Sequence, residues 1–230
     1  MRRTYKTPGF TLIELMIALA VAALLFAWAV PSFQQFMNRA TLSSETNSWV
    51  GVINFARSES ITRGERVTVC RRVQPENCDG TADCDCGVAF SGGSSPPNYH
   101  TGYMIFTSTN NTGTLNFRPG LDNELIRTGR APSGKVAIQG NGQANNAFSF
   151  MPNGTLHPDD ASSPTARHIL CAMAQAGNDA TAESSAAVPG RVVIVSATGR
   201  PRVVEFEEGG ACFDSDSSNS AADDATAYGD

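Results

Sequence analysis

The chain has 230 residues, of which 41% are hydrophobic, and its formal net charge is −5 at pH 7. This length allows one globular domain with its own hydrophobic core in addition to a membrane segment. The negative charge argues against a general nucleic-acid-binding protein, so any contact with nucleic acid would have to be made by a local basic surface.

The N-terminal segment has the composition of a membrane-spanning helix. Residues 11–30 read TLIELMIALAVAALLFAWAV, an apolar run with a single charge at Glu14. A helix of about 20 predominantly apolar residues spans the hydrocarbon core of a bilayer. Arg2, Arg3 and Lys6 precede it with no acidic residue, which places the N-terminus in the cytoplasm. The sequence therefore predicts a single-pass inner-membrane protein with a periplasmic C-terminal domain.

Two features distinguish this segment from an ordinary secretory signal. An Ala-x-Ala cleavage site can be found at residues 27–29, but the leader before the apolar run is short and ends in Pro8-Gly9-Phe10. Glu14 also lies inside the apolar run, where a carboxylate costs roughly 2.5–3.5 kcal/mol and is a functional candidate. Cleavage after Gly9 would create an amino terminus at Phe10, four residues from Glu14.

The hexapeptide Gly9-Phe10-Thr11-Leu12-Ile13-Glu14 closely resembles the processing signal of type IV prepilins and pseudopilins. The resemblance implies cleavage after Gly9 by a prepilin peptidase and N-methylation of Phe10. It also implies that the N-terminal helix assembles with other pilins or pseudopilins, with Glu14 neutralising the amino terminus of a neighbouring subunit. Pro31 falls where pilins often carry a helix-kinking proline. Loss of the three cations in residues 1–9 would leave a side-chain charge of about −8.

The region after Pro31 predicts a long amphipathic helix. Apolar residues recur at i, i+3, i+4 and i+7: Phe33, Phe36, Met37 and Ala40, then Trp49, Val52, Ile53 and Ala56. One helix is expected from about Thr11 to Arg63, with Gly64 as its C-terminal cap and a sheet beneath its apolar stripe.

The remaining chain carries β-strand signals separated by Gly, Pro and Asn turns. The predicted strands are 66–73, 104–107, 114–117, 135–139, 147–151, 167–173, 191–196 and 202–206. The expected fold class is α+β, a pilin-type transmembrane and amphipathic helix packed on an antiparallel β-sheet domain. The predicted divisions are the leader 1–9, the helix 10–63, the β-rich domain 64–212, and an acidic tail 213–230 that is too polar to fold alone.

Six cysteines predict disulfide bonds in an oxidising compartment. They are Cys70, Cys78, Cys84, Cys86, Cys171 and Cys212. Cys171 and Cys212 are far from the other four and are expected to pair. The connectivity of the remaining four is open, although Cys84 and Cys86 are too close to be favoured partners. Zinc binding by those four is the alternative, but the C-x5-C-x-C spacing fits zinc poorly, and no metal is expected.

The sequence lacks a coherent set of catalytic residues. Residues 129–135 mimic a phosphate-binding loop, but Val136 stands where a Ser or Thr would hold magnesium. No H-E-x-x-H or G-x-S-x-G motif occurs. His100, His157 and His168 are widely spaced, and His157 is expected in a solvated acidic loop with Asp159 and Asp160. Neither enzymatic activity nor a cofactor is predicted.

Two arginines near the C-terminus form the remaining candidate site. Arg200 and Arg202 flank Pro201, and in an extended chain they point the same way and offer two guanidinium groups to phosphates. The alternative is a hairpin whose solvated arginines pair with Glu205, Glu207 or Glu208.

The helix, the β-rich region, the Cys171–Cys212 spacing and Gly199-Arg200-Pro201-Arg202 resemble the FimT/GspH group of minor pilins. In FimT-like members a Gly-Arg-x-Arg signature is implicated in DNA binding during natural transformation. The resemblance implies that Gly199 sets a turn while Arg200 and Arg202 contact the phosphates of double-stranded DNA. The alternative is a structural role, as a GspH-like pseudopilin of a type II secretion system or a priming minor pilin.

Overall fold

The computed structural model describes residues 11–72, 99, 102–107, 117, 123–129, 136–140, 147–157, 166–172 and 188–205. The described residues form one helix and eight strands. These are α1 (Leu12–Arg63), β1 (Val67–Arg71), β2 (Tyr103–Thr107), β3 (Leu125–Gly129), β4 (Val136–Gly140), β5 (Ala147–Phe150), β6 (Ala166–Ala172), β7 (Arg191–Val195) and β8 (Pro201–Glu205).

Both ends of α1 are capped by local hydrogen bonds. At its start the Thr11 hydroxyl accepts from the Glu14 N–H at 3.3 Å, and the Thr11 carbonyl accepts from the Leu15 N–H at 3.2 Å. At its end the Gly64 N–H donates to the Ser60 carbonyl at 3.0 Å, and Gly64 has φ 68°. Glycine adopts this left-handed conformation without the steric cost that a Cβ imposes, which confirms the predicted helix end.

The two parts of α1 have different surfaces. The chain divides into a unit that ends at Met37 and a unit that begins at Asn38. In the first unit the apolar side chains are exposed, as at Leu12 (77%) and Phe33 (63%). A window of α1 has a mean hydropathy of 2.4, enough in length and composition for a membrane span. In the second unit Trp49 and Ile53 are buried, so this part of α1 contributes to the hydrophobic core of that unit.

The strands form two antiparallel four-stranded sheets. Sheet I has the order β3-β2-β1-β5, and sheet II has the order β4-β6-β7-β8. Apolar side chains from α1 and both sheets form one main core, which includes Ile53, Val69, Phe148, Leu170 and Val193. The predicted α+β class, a long helix packed on antiparallel sheet, is confirmed.

The inner strands of sheet I, β1 and β2, are buried on both faces. Val67 and Val69 of β1 face the main core, whereas Cys70 joins a second apolar cluster with Phe106 and Phe117. Alternate residues of a strand point to opposite faces, and all five residues of β1 are buried, including the polar Thr68 and Arg71. The ring centroids of Phe106 and Phe117 lie 5.3 Å apart.

β3 is not predicted from the sequence, and the reason is a β-bulge. The register between β2 and β3 shifts between Ile105 and Phe106, so Ile126 is an extra residue on β3. The bulge interrupts apolar alternation, and β3 instead lies against α1 through the Arg127 guanidinium, 5.3 Å from the ring centroid of Phe55. Of the predicted strand 114–117, only Phe117 lies within the described residues.

The cysteines are described only in part. Cys70 in β1 and Cys171 in β6 are buried and disulfide-bonded. Cys78, Cys84, Cys86 and Cys212 lie outside the described residues. The predicted Cys171–Cys212 pair therefore stays a prediction, as does the connectivity of the other cysteines.

Candidate functional site

The predicted arginine pair lies on the hairpin formed by β7 and β8. The last pair of the ladder is Val195 with Pro201, and residues 196–200 form the turn. The Gly199 N–H donates to the Ser196 carbonyl at 2.7 Å, and the Ser196 N–H donates to the Arg200 carbonyl at 3.1 Å. Gly199 has φ 76°, a conformation that strongly favours glycine.

This turn packs closely against the segment that follows β5. The Leu156 N–H donates to the Ala197 carbonyl at 3.0 Å. A Cβ atom added to Gly199 would lie 2.1 Å from the Gly154 carbonyl oxygen, which also accepts a hydrogen bond from Arg57 Nε at 2.9 Å. Arg57, Gly154 and Gly199 therefore meet at one point, which we call the hairpin junction.

Arg200 and Arg202 are both exposed on this hairpin. Arg202 pairs with Ile194 of β7, which in turn pairs with Arg167 of β6. Val193 and Val195 of β7 are buried in the main core, so Ile194 between them points to the opposite face of sheet II. Because directly paired residues share a face, Arg202 also lies on that outer face. Two cationic strand residues, Arg167 and Arg202, thus belong to the outer face of sheet II.

The acidic residue nearest in the hairpin is already engaged elsewhere. Arg191 Nη1 donates to Glu205 Oε1 at 2.6 Å. Within the part of the chain that the structure describes, neither Arg200 nor Arg202 forms an ion pair. Glu205 therefore does not neutralise the arginine pair, while Glu207 and Glu208 lie outside the described residues. The hairpin presents two guanidinium groups that an anion could contact.

The predicted processing and assembly residues lie at the other end of the chain. Glu14 is exposed and occupies the first turn of α1, where the positive end of the helix dipole stabilises a carboxylate. Gly9 and Phe10 lie outside the described residues. Glu14 belongs to the first unit, whereas Gly199, Arg200 and Arg202 belong to the second.

His168 is a core residue in an aromatic environment. It is fully buried, and its ring centroid lies 4.9 Å from that of Phe148 and 5.3 Å from that of Trp49. Burial lowers the pKa of His168 to about 3, so the imidazole is neutral at neutral pH. Neither ring nitrogen has a hydrogen-bond partner among the described residues.

The predicted environment of His157 requires a correction. It is expected from the sequence in a solvated acidic loop, but in the structure it is buried, with 7% exposure. Its backbone N–H donates to the Ser149 carbonyl at 2.9 Å, so the segment after β5 folds back along that strand. Asp159 and Asp160 lie outside the described residues, and within the described ranges no group of three or more His, Cys, Asp or Glu side chains could hold a metal ion.

Sequence reasoning missed Arg57 as part of this site. Arg57 lies in α1, 97 residues before its hydrogen-bond partner Gly154. An arginine at a half-buried helix position carries no sequence signal for a contact of such long range. Only the fold brings it to the turn that contains Gly199.

The capped apolar helix and the two antiparallel sheets define a pilin-like protein. A family model described as the Type II transport protein GspH matches residues 45–210, and a model of the prokaryotic N-terminal methylation motif matches residues 6–30. The first match covers more than half of the chain, so the chain belongs to the GspH family of minor pilins and pseudopilins. The predicted family is thereby confirmed.

Two solved structures are similar to this chain over about three quarters of its length. Two crystal forms of the type IV minor pilin FimU of Pseudomonas aeruginosa are each 15% identical to it. The first has a TM-score of 0.46, with 77% of this chain and 99% of the FimU chain covered. The second has a TM-score of 0.43, with 75% and 100% covered. No curated protein matches.

Proposed function

We propose that this chain is a FimT-like minor pilin of a type IV pilus that binds double-stranded DNA for uptake in natural transformation. The observation that supports this proposal is the state of Arg200 and Arg202. Both are exposed on one hairpin without an ion pair to any described residue, while Arg191 binds the neighbouring Glu205.

The proposed contact is with phosphate groups. Arginine guanidinium groups donate paired hydrogen bonds to phosphate oxygens, and such contacts carry little sequence information. Each contact to duplex DNA contributes about −0.9 to the log–log dependence of the binding constant on salt, so two contacts give a slope of about −1.8. The overall negative charge of the protein makes binding weak outside this surface.

The test is a fluorescence-anisotropy titration of labelled duplex DNA with the full chain in nonionic detergent, across a salt series. The Arg200→Ala/Arg202→Ala variant should lose most binding and most of the salt slope. An Arg63→Ala/Arg127→Ala control carries the same change of net charge on α1 and β3 and should bind as the wild type does. Wild-type DNA uptake by cells that carry Arg200→Ala/Arg202→Ala would refute the assignment.

The proposal includes membrane insertion, processing and assembly. A prepilin peptidase cleaves after Gly9, Phe10 is N-methylated, and Glu14 neutralises the amino terminus of a neighbouring pilin. In this proposal the N-terminus is cytoplasmic and the β-rich domain is periplasmic. That domain contains a Cys171–Cys212 disulfide. The match of the methylation-motif model to residues 6–30 supports the processing step. The intact mass of the mature protein should lack residues 1–9 and include one added methyl group.

A second candidate function is purely structural. The matching family model is described as a type II transport protein, which supports a GspH-like pseudopilin or a priming minor pilin without a DNA role. In that case a deletion strain would lose protein secretion or surface pili, while the purified full chain would show no salt-dependent binding to duplex DNA.

A further inference from the structure

The side chain of Arg57 lies directly beside the turn that carries the arginine pair. A Cβ atom added to Gly199 would lie 3.0 Å from Arg57 Nε and 3.3 Å from Arg57 Cδ. Gly199 precedes Arg200, and consecutive Cα atoms are about 3.8 Å apart. The Arg57 guanidinium is therefore adjacent to the backbone of Arg200, although α1 and β8 are far apart in sequence.

Only one nitrogen of this guanidinium forms a hydrogen bond to another described residue. Arg57 Nε donates to the Gly154 carbonyl at 2.9 Å. Arg57 is half-buried, and neither of its two terminal nitrogens is buried without a hydrogen-bond partner. The Nε hydrogen bond holds the guanidinium in place, and the terminal N–H groups remain for a ligand at the surface.

The immediate surroundings of Arg57 contain no acidic side chain among the described residues. The turn 196–200 reads Ser-Ala-Thr-Gly-Arg, and the segment 151–157 reads Met-Pro-Asn-Gly-Thr-Leu-His. The helix neighbours of Arg57 at three and four positions are Ile53, Asn54, Ser60 and Ile61. Glu59, two positions away on α1, is bound by Arg63 at 2.8 Å. The described surroundings of Arg57 are therefore uncharged or cationic.

We infer that Arg57 is a third phosphate-binding arginine, so that the proposed DNA-binding surface passes around the turn of the hairpin, from Arg200 and Arg202 on one side to Arg57 of α1 on the other. This inference rests on the proposed DNA-binding function. The hydrogen bond to Gly154 pre-orders the guanidinium, so Arg57 loses less conformational freedom on binding than a solvated arginine does. The ligand is the sugar-phosphate backbone of duplex DNA.

The test compares Arg57→Gln, Arg57→Lys, Arg200→Ala/Arg202→Ala and wild type as full chains in detergent, with labelled duplex DNA across a salt series. Arg127→Gln is the control with the same charge change as Arg57→Gln. One lost phosphate contact should reduce the salt slope by about 0.9 and weaken binding about eightfold at 0.1 M salt. Arg57→Lys keeps the charge and should keep the slope. Should Arg57→Gln fail to fold, Arg57→Met keeps the aliphatic stem over Gly199 and gives the same comparison.

The outcomes separate this inference from the function on which it rests. A wild-type slope for Arg57→Gln, with or without weaker binding, would overturn the phosphate contact of Arg57, while a reduced slope in Arg200→Ala/Arg202→Ala would leave the proposed function intact. Absence of salt-dependent binding by the wild type, or an unchanged slope in the double variant, would refute the proposed function and the Arg57 contact with it.

Discussion

Replacement of Gly199 by alanine should disrupt the hairpin junction. Gly199 has φ 76°, and a new Cβ would lie 2.1 Å from the Gly154 carbonyl oxygen. That oxygen belongs to the backbone and accepts the Arg57 hydrogen bond, so the turn and the segment after β5 must separate to admit the methyl group.

The expected cost has two contributions. A left-handed backbone costs an L-residue about 1–2 kcal/mol, and overpacking of a closely packed site costs about 1–3 kcal/mol more. Gly199→Ala should therefore lower the free energy of unfolding by about 2–5 kcal/mol. Gly64→Ala is a matched control, because Gly64 has φ 68° with nothing within 4 Å of a new Cβ. The control should lose only the contribution of about 1–2 kcal/mol from backbone strain.

Thermal unfolding of the full chain in detergent, followed by near-ultraviolet circular dichroism, measures the difference. For a chain of this size each 1 kcal/mol corresponds to roughly 2–4 °C in Tm, so Gly199→Ala should lower Tm by about 4–20 °C and Gly64→Ala by about 2–8 °C. A decrease for Gly199→Ala no larger than that for Gly64→Ala would show that the Gly154 carbonyl does not constrain the hairpin.

Two further predictions concern the main core. The pKa of His168 is about 3 in the folded protein against 6.5 for the free group, so between these pH values the unfolded chain binds a proton that the folded chain excludes. Stability should therefore fall as pH drops from about 6.5 towards 3, by about 2 kcal/mol between pH 7 and pH 5; His168→Phe should remove this loss, and denaturant titrations with the same pH dependence in both proteins would contradict the assignment. Phe148→Ala should lower the free energy of unfolding by about 3–5 kcal/mol, because it removes a fully buried ring; Phe33→Ala, at an exposed position of the first unit, should leave the unfolding of the second unit unchanged, and equal effects of the two variants would refute the distinction.

Features with local causes were predicted well from the sequence. The end of α1 follows from Gly64 alone, since a glycine cap needs only its own backbone and the preceding turn. Seven of the eight strands in the described part of the chain overlap predicted strands because each carries β-branched or aromatic residues between turn formers. The location of Arg200 and Arg202 on a hairpin also follows from the local sequence, while their contact with DNA stays a prediction.

Features that depend on contacts between residues far apart in the chain could not be predicted from the sequence. The bulge in β3 breaks the alternation on which strand prediction rests, and its arginine packs on Phe55 of the helix. His157 is buried in a segment whose backbone folds back onto β5 and bonds to Ser149, a contact that the local sequence does not signal. The position of Arg57 depends on Gly154 and Gly199, which are separated from it by most of the domain.

The order of strands in the two sheets bears on how the domain folds. β4 belongs to sheet II, yet in the chain it lies between β3 and β5 of sheet I. Val67 of β1 pairs with Phe150 of β5, so sheet I lacks its edge strand β5 until β4 has already been synthesised. Sheet II is complete only when β4 pairs with β6 across the intervening β5, so a long loop must close before sheet II is stable. We therefore expect slow folding of the domain as one unit, completed only when the strand that carries Arg202 is available.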